Sequence, residues 1–250
     1  MGGTDSFSNQ GPVIILVQPQ LGENIGASAR AMLNCGITEL RLVNPRDGWP
    51  SAKAISASSG ADSVIRSTRI FDSLAKAIAD LSFVSACTSR LRDINKLTIT
   101  AEEGVRDLRN RVDAGQRCGI LFGGERSGLT NDDIALADNI INIRLNPAFS
   151  SLNLAQAVLI MAYTWLRSNK SVPPSGKSLR HSVPATKADM LGLFEHIEAE
   201  LNRGGFLYPE EKAPSIIRNI RALLTRAGLS EQEVKTLRGV VTAIKRAGRT

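Results

Sequence analysis

Between Val13 and Leu166, short runs rich in β-branched residues alternate with stretches of helical period, which leaves this chain few ways to fold. Val13–Val17 is apolar at every position, and 39–43, 81–87, 118–122 and 140–145 also read as strands. Residues 27–35, 51–57, 72–80, 101–111 and 131–136 read as the helices between them. A strand that is apolar throughout has no face to offer water, so both its faces must be covered, and the intervening helices supply the cover. The fold class expected is α/β, a mainly parallel sheet between helical layers.

Past that region the pattern changes. Pro173, Pro174, Gly176 and Pro184 fall in a serine-rich stretch without apolar period, which reads as a linker over 169–186. Residues 187–203 and 214–227 then read as helices, the second stopped by Gly228, and Ser230 with Glu233 forms a capping box that opens a last helix through Arg246. The expected organisation is a disordered 1–12, an α/β domain at 13–168, the linker, and a small basic helical extension at 187–250.

At 250 residues and 42% hydrophobic content the chain can bury a sizeable core. Its longest apolar stretch, about 15 residues, falls short of the roughly 20 that span a bilayer. Met1 to Ser6 lacks a basic start and an apolar signal core, so a cytoplasmic protein is expected. Cys35, Cys87 and Cys118 are odd in number and sit in or beside apolar segments, which suits reduced core thiols. With His181 and His196 as the only histidines, no Cys/His cluster exists, and no metal is expected.

The net charge of +7 points to a polyanionic partner. From Asn139 through Ala188 there is no acidic residue, while Arg144, Arg167, Lys170, Lys177, Arg180 and Lys187 fall in the same stretch. Between Lys212 and Thr250, nine Lys/Arg face only Glu231 and Glu233.

Three polar clusters each sit where a strand runs into a helix. The first, Gln18 to Met32, has small residues that permit close backbone approach, Asn24 as a possible helix cap and Arg30 about one and a half turns further on. Alone it also fits a surface arginine on an amphipathic helix. The second, Gly119 to Asn131, places Gly123, Gly124 and Gly128 at the end of a buried strand, where open α/β sheets bind ligands; alone it also fits a tight turn. It lacks both the dinucleotide fingerprint and the P-loop pattern. The third, Arg144 to Gln156, lets Ser150 or Ser151 cap a helix over 152–166 that is apolar on nearly every face and is expected to be buried.

In this order the clusters closely resemble the three motifs of the SpoU/TrmH branch of the SPOUT RNA methyltransferases. The carrying segments are Asn-Ile-Gly-Ala-Ser-Ala-Arg-Ala at 24–31, Phe-Gly-Gly-Glu-Arg-Ser-Gly-Leu-Thr-Asn at 122–131, and Asn-Pro-Ala-Phe-Ser-Ser-Leu-Asn-Leu-Ala-Gln-Ala at 146–157. The basic tail extends the resemblance to bacterial tRNA cytidine/uridine 2′-O-methyltransferases acting at anticodon-loop position 32. The resemblance implies a C-terminal trefoil knot in the α/β domain and S-adenosyl-L-methionine held among three loops. Those loops correspond here to Thr88, Ser89 and Arg90, to Gly123, and to Ile143, Leu145, Ser151, Leu152 and Asn153. It implies that Arg30 is placed at the target ribose, with Asn24, Glu125, Ser151 and Asn153 organising the site. Guanidinium groups hold their proton, so the arginine suits positioning and charge stabilisation better than proton abstraction. RNA contacts are expected from Arg30, Arg167, Lys170, Lys177, Arg180, Arg218, Arg221 and Arg238, and a homodimer from helices flanking the knot. An rRNA 2′-O-methyltransferase and a non-catalytic RNA-binding module of the same fold are the competing readings.

Overall fold

A computed structural model describes residues 11–89, 95–168 and 183–247. The chain runs β1 Val13–Val17, α1 Gly22–Asn34, β2 Leu40–Val43, α2 Ala52–Ser58, α3 Asp62–Ser67, β3 Arg69–Phe71, α4 Leu74–Ile78 and β4 Phe83–Cys87. It continues with β5 Thr98–Thr100, α5 Ala101–Asp113, β6 Cys118–Gly123, α6 Asn131–Ala135, β7 Asn139–Asn142 and α7 Leu154–Arg167. Three further helices follow, α8 Lys187–Arg203, α9 Ala213–Arg226 and α10 Glu231–Ala247.

The seven strands form one sheet in the order β3-β2-β1-β6-β4-β7-β5, and every pairing is parallel. Two of them, β3 and β5, were not legible as strands: each is three residues long, sits at an edge and carries no fully buried residue. After reaching the far edge at β5 the chain returns twice into the interior, β6 entering between β1 and β4 and β7 between β4 and β5. Alternate residues of the central strands feed two cores. Ile14, Leu16, Ile120 and Phe122 pack under α1, α5 and α7, while Val13, Ile15, Val17 and Leu121 pack under α4 and α6.

Several boundaries differ from the sequence reading for physical reasons. The first helix begins at Gly22 rather than 27, so Asn24 lies inside it, 8% exposed, and is not its cap. The cap of α7 is Asn153 rather than Ser150 or Ser151: its side chain accepts from Ala155 N–H at 2.9 Å, and Gln156 Oε1 accepts from Asn153 N–H at 3.2 Å. β7 ends at Asn142, which leaves Ile143 and Leu145 in a loop. α7 is also less buried than its composition suggests. Leu154, Val158, Met161 and Trp165 face the core, but Leu159, Tyr163 and Leu166 form an exposed stripe at helical spacing.

Arg41, on β2, is completely buried. Its guanidinium donates to Glu39, Asp80 and the Ala77 carbonyl, and Arg117 closes the cluster from outside on the same two carboxylates. Hydrogen bonding from Arg41 holds the Asp80 carboxyl below the usual range.

The extension has its own small core of Met190, Leu193, Phe194 and Val234. It docks where α8 begins: Lys187 N–H and Ala188 N–H donate to the Leu81 and Ala79 carbonyls, and the Lys187 ammonium meets Asp138 at 2.6 Å. Lys187 is therefore a buried structural ion rather than part of a phosphate-binding stretch. The expected capping box at Ser230 and Glu233 is present. Of the expected linker, 169–182 lie outside the described residues, as do 1–10 of the expected disordered start; Pro184 already bridges to Ser230.

Candidate active site

A cavity of about 130 Å³ opens at the carboxyl ends of β4 and β6, beside the loop that follows β7. This is the edge at which parallel α/β sheets bind ligands, because strand ends leave backbone groups unpaired there. Phe122, Ile143, Leu145, Leu152 and Leu154 supply apolar walls, and Thr88, Ser89 and Ser151 supply polar ones. The floor depends on glycine. A Cβ on Gly123 would collide with the Gly128 and Leu129 backbone, and Gly128 itself has φ 65°.

The three sequence clusters meet beside this cavity through one chain of hydrogen bonds. Glu125, on the cavity wall, accepts from Gln20 N–H at 2.8 Å, Leu21 N–H at 3.2 Å and Asn24 Nδ2 at 2.7 Å. It thereby satisfies donors at the start of α1, whose own cap residue, Leu21, has no side-chain acceptor. A carboxylate only accepts, so the Asn24 amide must turn its NH₂ toward Glu125 and its oxygen away. That oxygen accepts from Asn153 Nδ2 at 2.9 Å, which leaves Asn153 Oδ1 for the Ala155 N–H of α7. Residues separated by 101 and 129 positions in sequence are thus locked in one orientation each.

Of the residues expected at a cofactor, Thr88, Ser89, Gly123, Ile143, Leu145, Ser151 and Leu152 line the cavity; Asn153 stands behind it as the α7 cap, and Arg90 lies outside the described residues. Glu125 and Ser151 are on the wall, and Asn24 is joined to it through Glu125. Arg30 is not on the wall. It is exposed on α1 and has no hydrogen-bond or ion-pair partner among the described residues. Gly124, expected with Gly123 and Gly128 at the strand end, also lines the cavity, and lining residues that the sequence did not point to include Leu129, Leu154 and Ala157. The last two are three apart on α7, a spacing that its cap at Asn153 would have flagged.

The cations expected at RNA divide. Arg221 makes a two-pronged pair with Glu198 at 2.7 and 2.8 Å, and Arg218 reaches Asp132 at 3.3 Å, tying α9 to α6. Arg167 and Arg238 are exposed, whereas Lys170, Lys177 and Arg180 lie outside the described residues. Burial pushes the Cys87 and Cys118 thiols up to about 12, which keeps both protonated and unreactive at neutral pH.

Residues 11–163 match the SpoU rRNA Methylase family. The chain belongs to that family. Residues 188–250 match a second model, the C-terminal domain of tRNA methyltransferase TrmJ. This SpoU-family chain is 35% identical over 238 residues to the tRNA (cytidine/uridine-2′-O-)-methyltransferase TrmJ of Yersinia pestis (strain Pestoides F), covering 93% of this chain and 91% of that one. Among solved structures, TrmJ from Z. mobilis ZM4 superposes with a TM-score of 0.85 at 44% identity, covering 94% of this chain and 99% of that chain. The SpoU methyltransferase AviRb from Streptomyces viridochromogenes, in complex with the cofactor AdoMet, shares the fold at a TM-score of 0.51 and 18% identity, covering 64% of this chain and 58% of that one.

Proposed function

We propose that this protein transfers the methyl group of S-adenosyl-L-methionine to a ribose 2′-OH of tRNA, at cytidine or uridine in position 32 of the anticodon loop. The observation that carries this reading is the hydrogen-bonded chain from Glu125 through Asn24 to Asn153, which joins all three motifs beside one cavity. Relatives that match over both the catalytic region and the extension bear the tRNA name, which favours tRNA over rRNA. An intact cavity favours an enzyme over an RNA-binding module without activity.

The residues fit the cofactor. The apolar walls suit a purine, and the glycine floor, which a Cβ would fill, lets backbone amides and carbonyls approach its polar edge. Thr88, Gly123, Ile143, Leu145, Ser151 and Leu152 would hold the cofactor, and bound there it would supply a methyl group already activated for transfer to the ribose 2′-oxygen, whose proton would pass to water. Glu125, Asn24 and Asn153 keep the loop after β6 and the start of α7 in register, so alignment supplies much of the rate. Arg30, without a partner among the described residues, holds the ribose or an adjacent phosphate.

Two copies pair through α1 and α7 in this reading. Leu159, Tyr163 and Leu166 are 45, 53 and 37% exposed, and Leu33 on α1 is 37% exposed beside Arg30. Burying this stripe against a second copy removes apolar surface from water and brings Arg30 of each copy to the interface. Among the described residues no helix is long and apolar enough to cross a membrane; a cytoplasmic tRNA-modifying enzyme is the corresponding localisation. The division into an α/β domain over 13–168 and an extension over 187–250, and a knot formed as the chain re-enters the sheet, belong to the same reading.

The test is calorimetry with S-adenosylhomocysteine together with a methylation assay on tRNA from a deletion strain, mapping the 2′-O-methyl groups restored. Methylation at position 32 is expected. Binding without tRNA methylation, or methylation of rRNA only, refutes the substrate, and absence of binding refutes the activity.

A further inference from the structure

A second cavity, about 290 Å³, lies at the amino ends of β4 and β7, away from the first, with walls from both α5 and the extension. Its lining holds four cations, Lys96, Arg111, Lys187 and Arg226, against two carboxylates, Asp107 and Asp138. Arg111 pairs with Asp107 at 3.1 Å and Lys187 with Asp138 at 2.6 Å, which leaves Lys96 and Arg226 as the surplus. Lys96 donates to the Ala137 carbonyl, and burial brings its ammonium down to about 8, with Asp138 opposing and Lys187 adding to that shift. In the same lining Asn139 is 4% exposed, and its Oδ1, shielded from solvent like the Oγ of Ser85 opposite it on β4, has no hydrogen-bond partner among the described residues. A buried amide oxygen left so is destabilising, because folding strips its water without supplying a donor. The cavity therefore offers two positive charges, a pair that one phosphate can bridge, above a shielded acceptor without a donor among the described residues.

We propose that this crevice binds one nucleotide unit, its phosphate on Lys96 and Arg226 and a ribose hydroxyl or base N–H on Asn139 Oδ1. The source is a nucleotide of the bound tRNA, which rests on the substrate reading above; a free mononucleotide presents the same chemistry. The crevice joins the α/β domain to the extension, so a filled site holds the two together while RNA is engaged.

The experiment is amine acetylation of the full-length protein, with Lys96 modification read by mass spectrometry. It is run alone, with tRNA whose binding is followed by fluorescence anisotropy in the same sample, with uridine monophosphate, and with inorganic polyphosphate. Protection of Lys96 by tRNA and by uridine monophosphate is expected, with weaker protection by polyphosphate at equal phosphate concentration. Protection by the mononucleotide without tRNA binding keeps the crevice and removes the tRNA reading. Bound tRNA that leaves Lys96 as reactive as before, with no effect of the mononucleotide, overturns the proposal, as does no protection by any ligand. Polyphosphate protecting as well as tRNA overturns the nucleotide assignment, because it brings no donor to Asn139. As a second measurement, Arg226→Gln lowers tRNA affinity about three- to ten-fold and flattens its log–log salt dependence by about 0.7–0.9. It leaves S-adenosylhomocysteine affinity unchanged; an unchanged salt slope counts against the site.

Discussion

Asn24 is the hub of the hydrogen-bonded chain beside the first cavity, and its removal has a calculable consequence. Asn24→Ala deletes the 2.7 Å bond to the Glu125 carboxylate and the 2.9 Å bond from Asn153 together. A hydrogen bond to a charged group contributes about 1.5–3 kcal/mol and a neutral one about 0.5–1.5. At 8% exposure, water replaces little of either. Against this, alanine is the better helix former by roughly 0.5 kcal/mol, so the net loss is about 1.5–4 kcal/mol. For a chain of this length that lowers the unfolding midpoint by roughly 5–15 °C. Asn24→Asp separates the network from mere side-chain volume. It keeps the shape but sets a second carboxylate against Glu125, so one proton is held in the folded state at a raised pKa. The folded variant then binds more protons than the unfolded chain, and its stability rises as pH falls. Thermal unfolding at pH 8 and pH 5 is the assay, with Asn24→Ala as reference. The expected result is a deficit for Asn24→Asp at pH 8 that shrinks at pH 5. Wild-type stability at pH 8, or a deficit that does not change with pH, refutes the network.

Four further outcomes are expected. Arg30→Ala retains S-adenosylhomocysteine affinity in calorimetry and loses methyl transfer to tRNA; wild-type turnover would remove Arg30 from the reaction. Gly123→Ala, whose methyl meets the Gly128 and Leu129 backbone, loses cofactor binding while α8 to α10 keep their helicity by circular dichroism. Tyr163→Asp on the exposed stripe of α7 converts the dimer to a monomer in light scattering, and a monomeric parent protein would contradict the pairing. The Asp80 carboxyl, lowered chiefly by its hydrogen bond from Arg41, contributes stability above its ordinary pKa and loses it as pH falls through its lowered one. Asp80→Asn accordingly destabilises at pH 7, and the difference from the parent narrows on acidification below about pH 4; a constant difference would exclude the charge as the cause.

Where the sequence was legible, neighbouring residues held the whole cause. The helix over Lys187–Arg203 came out with the limits expected, because Thr186 and Asp189 cap it locally. The central strands were visible for a similar reason, since burial on both faces forces a continuous apolar run. The edge strands Arg69–Phe71 and Thr98–Thr100 escaped because an edge is only partly covered and needs no such run. The start of α1 was misplaced because the acceptor for its first amides is Glu125, about a hundred positions away.

The sequence by itself determined the α/β class, the helical extension and the places where three polar clusters interrupt the apolar pattern, whereas the cavity lining came only with the family resemblance that those clusters carry. The first three follow from period, local caps and motif order, all short-range properties. Only the tertiary structure decided what the polar groups do. It turned Asn24 from a cap into a buried link, made Arg41 and Lys187 buried ions with carboxylate partners, and left Arg30 without a partner among the described residues. A charged or amide side chain carries no mark of its partner in its own neighbourhood. Its energy depends on which donors and acceptors folding places within about 3 Å, after water has been removed.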